Sequence, residues 1–289
     1  DDHGEFFLAP LADGLELYRP AVDEATMQTW RERLGVPLDR VIQGGGAKIN
    51  NWRSYAMKGE WARAQTGLVA RDDAIAFIEE AWLRRTQRER ILGDRWNLYQ
   101  DWNGHPQSHS VEAVGRGNLL SLIAHGYDGP SADVIRAAVR RGTAASLLLQ
   151  DPTGQCPPNG RTDDHVFNDV LYALTFEAMA QASHAEGDVE LAGRYRSASD
   201  LALHSIERWK RDDAPWTGAY SITKNHFDPA DRVGYQPASQ VGNYTGAMIY
   251  HLGELYRMRA AGPAITQRPA PAEIGGFVLE SDARFGSAV

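Results

Sequence analysis

The sequence predicts an all-α fold, an (α/α) toroid assembled from helical hairpins. Three observations carry this. Apolar residues recur at helical spacing through most of the 289 residues. The resulting helices alternate in character, one amphipathic and charged, the next apolar along most of its length. The apolar ones each begin with a dense group of polar and aromatic residues. A hydrophobic content of 43% over this length is ample for a large core.

In chain order, the first helix runs from Asp23, a capping residue, to Leu34, where Gly35 stops it. The second spans Asn51 to Ala70. The third runs from Asp72 or Asp73 to about Ile91 and is rich in Arg and Glu, as an outward face should be. The fourth spans Gln107 to Ala124 and is stopped by Gly126. The fifth covers Ser131 to Gln150, with Pro130 and Ser131-Ala132-Asp133 as its start signal. Asp164 to Ala185, Asp188 to Arg211, and Pro237 or Ala238 to Ala261 complete the set.

The second, fourth, sixth and eighth helices are the apolar ones. They open with Asn50-Asn51-Trp52-Arg53, Gln107-Ser108-His109-Ser110, Arg161-Thr162-Asp163-Asp164-His165 and Gln240-Val241-Gly242-Asn243-Tyr244. An inner ring of buried helices within an outer ring of amphipathic ones produces this alternation and brings the inner N-termini to one mouth. Capping explains one Ser, Thr, Asp or Asn per helix, but not Trp, His, Arg and Tyr grouped at four starts. Such ends also offer unpaired N–H groups and a positive dipole to an anion.

The connecting segments are rich in functional side chains. Asp101-Trp102-Asn103-Gly104-His105-Pro106 and Gly154 to Gly160 are turn-rich. Trp216 to Gln236, carrying His226, Arg232 and Tyr235, reads as a lid or a wall of the cleft. Gly44-Gly45-Gly46 follows no strand and lacks the Lys-Ser/Thr ending of a phosphate loop. A net charge of −8 speaks against nucleic acid as a partner. Lys48, Arg53, Lys58 and Arg63 make a local basic cluster, read equally as an anion site or a solvated helix face. With Cys156 as the only cysteine, an intrachain disulfide is impossible. No apolar run approaches the roughly 20 residues of a membrane span. Residues 1–261 are thus expected to form the toroid domain and 262–275, with its prolines, a linker. Residues 276–289 read as the first strand of a β domain whose remainder lies outside the sequence. The low hairpin count and the Asp1-Asp2-His3 start suggest missing N-terminal residues as well, so an apolar docking face is expected on the helices.

The stretch from Lys48 to about Leu120 resembles the (α/α)-toroid polysaccharide lyases, best compared with the chondroitin AC and hyaluronate lyases. Asn51-Trp52 matches that family's Asn-Trp-Trp helix start, and Gln107-Ser108-His109 its Gln-His start of another inner helix. Two departures stand out. The family's second Trp is Arg53 here, and its Tyr, about nine residues after the His, has no counterpart between Ser110 and Gly126. The resemblance implies a toroid followed by a β-sandwich, a secreted or periplasmic enzyme needing no cofactor, and an anionic polysaccharide or oligosaccharide as partner.

The implied reaction is β-elimination at a uronate, and it needs three groups. The carboxylate must be neutralised, a task for Asn51 with Arg53 or Arg161. A base must reach C5–H and an acid must protonate O4, tasks for His109, His165 and a tyrosine. Tyr244 is the first choice for that tyrosine and Tyr235 the second. Trp52, Trp102, Asn103, His105, Asp164 and His226 complete the expected substrate contacts, while His184, His204 and His251 read as structural. Three alternatives stand beside this reading. An inverting glycoside hydrolase would use two carboxyls about 6.5–9.5 Å apart, drawn from Asp163, Asp164, Asp101 and Glu60. A metal site would use Asp163, Asp164, His165 and Asp169. A non-catalytic helical-repeat glycan-binding module would show a fixed repeat, which the sequence lacks.

Overall fold

The computed structural model describes residues 4–42, 50–83, 87–101, 108–157, 165–210, 241–275, 279–280 and 287–288, and these are mostly helical. The chain divides into two compact units, Asp1–Trp102 with Gly115–Val139, and Asn103–Val114 with Arg140–Val289. Among the described residues no helix is long and apolar enough to cross a membrane.

In the first unit, helix α1 (Leu8–Tyr18) precedes the first helix expected from sequence. Pro10 and Gly14 disguise it as a turn. Pro10 sits in the first helical turn, where its missing N–H breaks no helical bond. Leu8, Ala9, Ala12 and Leu15 are its buried side. Helix α2 (Glu24–Leu34) starts as expected, with the Asp23 carboxylate accepting from Thr26 N–H at 2.8 Å, and stops at Gly35. Helix α3 (Asn51–Gln65) is shorter than its apolar pattern. Gly67, at φ +71°, ends it, with Leu68 N–H on Arg63 C=O at 2.9 Å and Gly67 N–H on Ala64 C=O at 3.0 Å. The expected third helix is described as α4 (Arg71–Leu83) and α5 (Gln87–Leu92), on either side of residues 84–86, which lie outside the described residues.

Helices α6 (His109–Ala124) and α7 (Ala132–Leu149) contribute to both units. Within the first unit α3 and α6 run parallel. Asn118 donates to Ser54 Oγ at 3.1 Å, and one end further on Trp61 Nε1 donates to His125 C=O at 2.9 Å. Helix α4 returns antiparallel to α3 and packs on it. Glu79 of α4 accepts from Tyr127 OH at 2.5 Å and from Ser131 N–H at 2.9 Å, which fixes the turn into α7.

The second unit repeats this arrangement. Helix α8 (Val166–Ala185) is buried at every residue from Val166 through Glu177. Helix α9 (Val189–Glu207), capped by Asp188, returns along it and buries one stripe that includes Ala192, Tyr195, Ala202 and Ile206. Helix α10 (Val241–Ala261) then runs parallel to α8: Tyr244 meets Phe167 near both starts, and Gln181 donates to Met258 C=O at 2.8 Å near both ends. The alternation read from sequence holds for α3 and α8, each a buried helix followed by an amphipathic return. It does not hold for α10, expected from sequence to be a buried inner helix: of its described side chains Met248, His251, Glu254 and Leu255 are buried while Ile249 and Tyr256 are exposed. Residues 262–275 lie along α9 and include a short helix α11 (Pro271–Ile274). Arg268 N–H bonds Gly193 C=O at 3.1 Å, and a Cβ at Gly193 would sit 2.6 Å from Thr266 C=O, so glycine is what permits this approach. Strands β1 (Leu279–Glu280) and β2 (Ser287–Ala288) pair antiparallel.

Candidate functional site

The described candidate residues fall at helix starts in each unit. In the first unit the start of α3 is tied down by a polar network. Asn50 caps the helix by accepting from Trp52 N–H at 3.2 Å, and Asn51 N–H donates to Asp101 Oδ1 at 2.6 Å. The Asp101 carboxylate thereby sits at the positive end of α3. Arg90 donates to the backbone carbonyls of Gln100, at 2.9 Å, and of Asp101. Gln87 donates to Asn50 C=O at 3.2 Å and accepts from Tyr99 OH at 2.7 Å. Burial, followed by the nearby Asp101 charge, pushes the Tyr99 hydroxyl pKa up, with Arg90 opposing, so this tyrosine is no base.

Of the basic cluster, Lys48 lies outside the described residues, and the other three are neither a solvated face nor an open anion site. Arg53 is buried with its guanidinium over the Phe77 ring at 5.6 Å, Lys58 is buried, and Arg63 pairs with Glu60 at 2.6 Å while donating to Val36 C=O. Trp52 is half-buried, edge-on to Phe6 at 5.6 Å. Of the carboxyls offered to a hydrolase, the two described ones, Asp101 and Glu60, are similarly engaged. Asp101 binds the α3 backbone, and Glu60 lies nine residues into α3, about 13 Å along its axis. Burial raises the Glu60 pKa and the Arg63 partner opposes the rise.

In the second unit His109 opens α6 and is buried, flanked by a 2.8 Å hydrogen bond between the Ser108 and Ser110 hydroxyls. His165 takes the N-cap position of α8 and is also buried. Three rings meet there. His165 and Tyr244 stand perpendicular with centroids 4.4 Å apart, Phe167 lies 5.2 Å from Tyr244 at 36°, and Phe167 stands edge-on to His165 at 6.0 Å. Of the three, Tyr244 alone is half-buried and the other two are buried. Asp169, one turn after His165, is buried and accepts from Cys156 N–H at 2.9 Å. His251 pairs with Glu254 at 2.8 Å inside α10.

The structure thus brings two sequence candidates, His165 and Tyr244, into contact. Phe167, which the sequence did not single out, is the third ring of this contact. Trp102, Asn103, His105, Arg161, Asp163, Asp164, His226 and Tyr235 lie outside the described residues. Among the described residues no three His, Cys, Asp or Glu side chains come together as metal ligands. Comparison with known proteins gives no match, whether by family, by curated sequence or by solved structure.

Proposed function

We propose that this chain is a polysaccharide lyase that cleaves a uronate-containing glycan by β-elimination on an (α/α)-toroid scaffold, acting outside the cytoplasm where such polymers occur. The observation that carries the reading is the perpendicular His165–Tyr244 contact at the adjoining starts of α8 and α10. A histidine and a tyrosine are the proton-transfer groups the reaction calls for, and Tyr244 is the less buried of the two.

In this mechanism the Tyr244 phenolate takes the C5 proton. The electron pair left on C5 forms the C4–C5 double bond, the C4–O4 bond breaks, and O4 leaves with the proton that Tyr244 returns. A free tyrosine titrates near pH 10, so a phenolate at neutral pH needs positive potential. The N-terminal ends of α8 and α10 both supply it. The same helix ends favour the substrate carboxylate. The carboxyls that an inverting hydrolase would need in the described part are committed to the α3 backbone and to Arg63.

The test is the ultraviolet absorbance of an unsaturated uronate product over a panel of anionic glycans. Tyr244→Phe should lower turnover by about 10²-fold or more with binding retained. Wild-type turnover in that variant, or a reducing-end product without the double bond, would defeat the proposal.

A further inference from the structure

We infer that α10 pairs antiparallel with α10 of a second copy of this chain, an association independent of the reaction proposed above. The helix carries Gly246, Ile249, Gly253, Tyr256 and Ala260 at alternating spacings of three and four, which place them in one stripe along an α-helix. Ile249 and Tyr256 are 63% and 75% exposed, Gly246 and Ala260 are exposed, and Gly253 is half-buried. A Cβ at Gly246 would meet nothing within 4 Å, and one at Gly253 only the far end of the flexible Arg257 side chain, at 3.7 Å. Two large apolar side chains thus stand out between small residues.

The stripe is complementary to itself under a two-fold axis, which makes a second copy its occupant. With the axis level with His251, Gly246 and Tyr256 lie five residues to either side, and Gly253 and Ile249 lie two. In an antiparallel pair each large side chain therefore comes level with a glycine of the other copy. The glycines let the backbones approach, and the Ile or Tyr beside them fills the space they leave. A parallel pair would set Tyr256 against Tyr256 and glycine against glycine, and neither fits. Charge agrees with the same arrangement. Among the described side chains of α10 Arg257 is the one exposed charge, since His251 and Glu254 are buried and Arg259 is held by Glu177 and Asp200. The axis sets the two Arg257 residues about 18 Å apart along the helices, beyond the roughly 8 Å screening length at physiological salt. A face low in charge that presents a tyrosine has the composition of an interface core. One helix face is small beside the about 800 Å² per partner of a stable complex, so the pair is weak and reversible.

Sedimentation velocity of the intact chain, from micromolar to near-millimolar concentration, reads the association. The wild type should move reversibly from monomer toward dimer. Tyr256→Glu should weaken the dimer by about 10-fold or more, and Ile249→Glu, which serves if the first variant does not fold, should do the same. Val189→Glu, which changes an exposed apolar residue of α9, should leave the dimer intact. Gly246→Leu separates fit from mere stickiness: it adds apolar surface where nothing stands within 4 Å, yet should weaken the dimer by holding the helices apart. A short bismaleimide reads the register. Gly246→Cys mixed with Tyr256→Cys should cross-link between copies while neither variant alone does, and Cys156, being buried, gives no background. A chain that stays monomeric throughout, as it would if this face served a different partner, overturns the inference. So does a dimer unaffected by Tyr256→Glu and Ile249→Glu, a tighter dimer in Gly246→Leu, or cross-linking within Tyr256→Cys alone.

Discussion

Glu177 is the residue through which the parallel pairing of α8 and α10 can be tested. Its carboxylate is fully buried and receives three donors: Gln181 at 2.9 Å, Arg196 of α9 at 2.7 Å and Arg259 of α10 at 3.0 Å. Arg259 extends the network to Ser199 at 2.8 Å and Asp200 at 2.6 Å. Removing one member of a buried ion pair costs about 3–5 kcal/mol, because the partner charge stays behind. Here the partners are 15% and 26% exposed, so solvent recovers part of that cost. Glu177→Ala is therefore expected near the lower limit, about 3 kcal/mol. Glu177→Gln keeps the shape and loses the charge assistance, for about 1–2 kcal/mol. Urea unfolding measures both, and hydrogen exchange of the α10 amides locates the loss, which should be concentrated in α10. A loss below about 1 kcal/mol in Glu177→Ala, or one spread evenly over the helices, would refute the view that this network holds α10 on α8.

Three further outcomes follow from the structure. Gly115→Ala brings a Cβ within 2.4 Å of the Tyr99 ring and should destabilise by about 1–2 kcal/mol, overpacking outweighing the helix-propensity gain. Gly246→Ala meets nothing within 4 Å and should stabilise by about 0.5–1 kcal/mol in the same urea assay; equal signs for the two would contradict the packing. The Glu186 pKa is lowered by its hydrogen bond to Arg140. Its contribution is therefore present above the unfolded value of 4.5 and disappears as pH falls through the lowered folded value. Glu186→Gln should trail the wild type in thermal stability at neutral pH and match it at the acid end, and a deficit that persists in acid would contradict the assignment.

The helices themselves were legible wherever a cap and a stop bracketed a 3.6-residue pattern, as Asp23 and Gly35 do for α2 and Asp188 does for α9. Helix α1 was not, because Pro10 and Gly14 carry turn signals that its burial against the rest of the unit overrides. The end of α3 was overrun because its apolar spacing continues past Gly67, and only the left-handed backbone there shows where the helix closes.

The candidate site divides in the same way. Sequence by itself determined the helical character and the polar aromatic starts at Asn51, His109, His165 and Tyr244, since periodicity and capping are local properties of a chain; it took α10 for a buried helix, and its exposed Ile249 and Tyr256 show otherwise. Only tertiary structure decided which of those residues touch. The 79 positions that separate His165 from Tyr244 in sequence vanish when α8 and α10 run parallel. In the same way Arg53 and Arg63, which look like surface charge, find Phe77, Glu60 and Val36 C=O inside the fold. A charged side chain reads as exposed until a partner is found for it, and partners from other helices are fixed by packing, which no local pattern encodes.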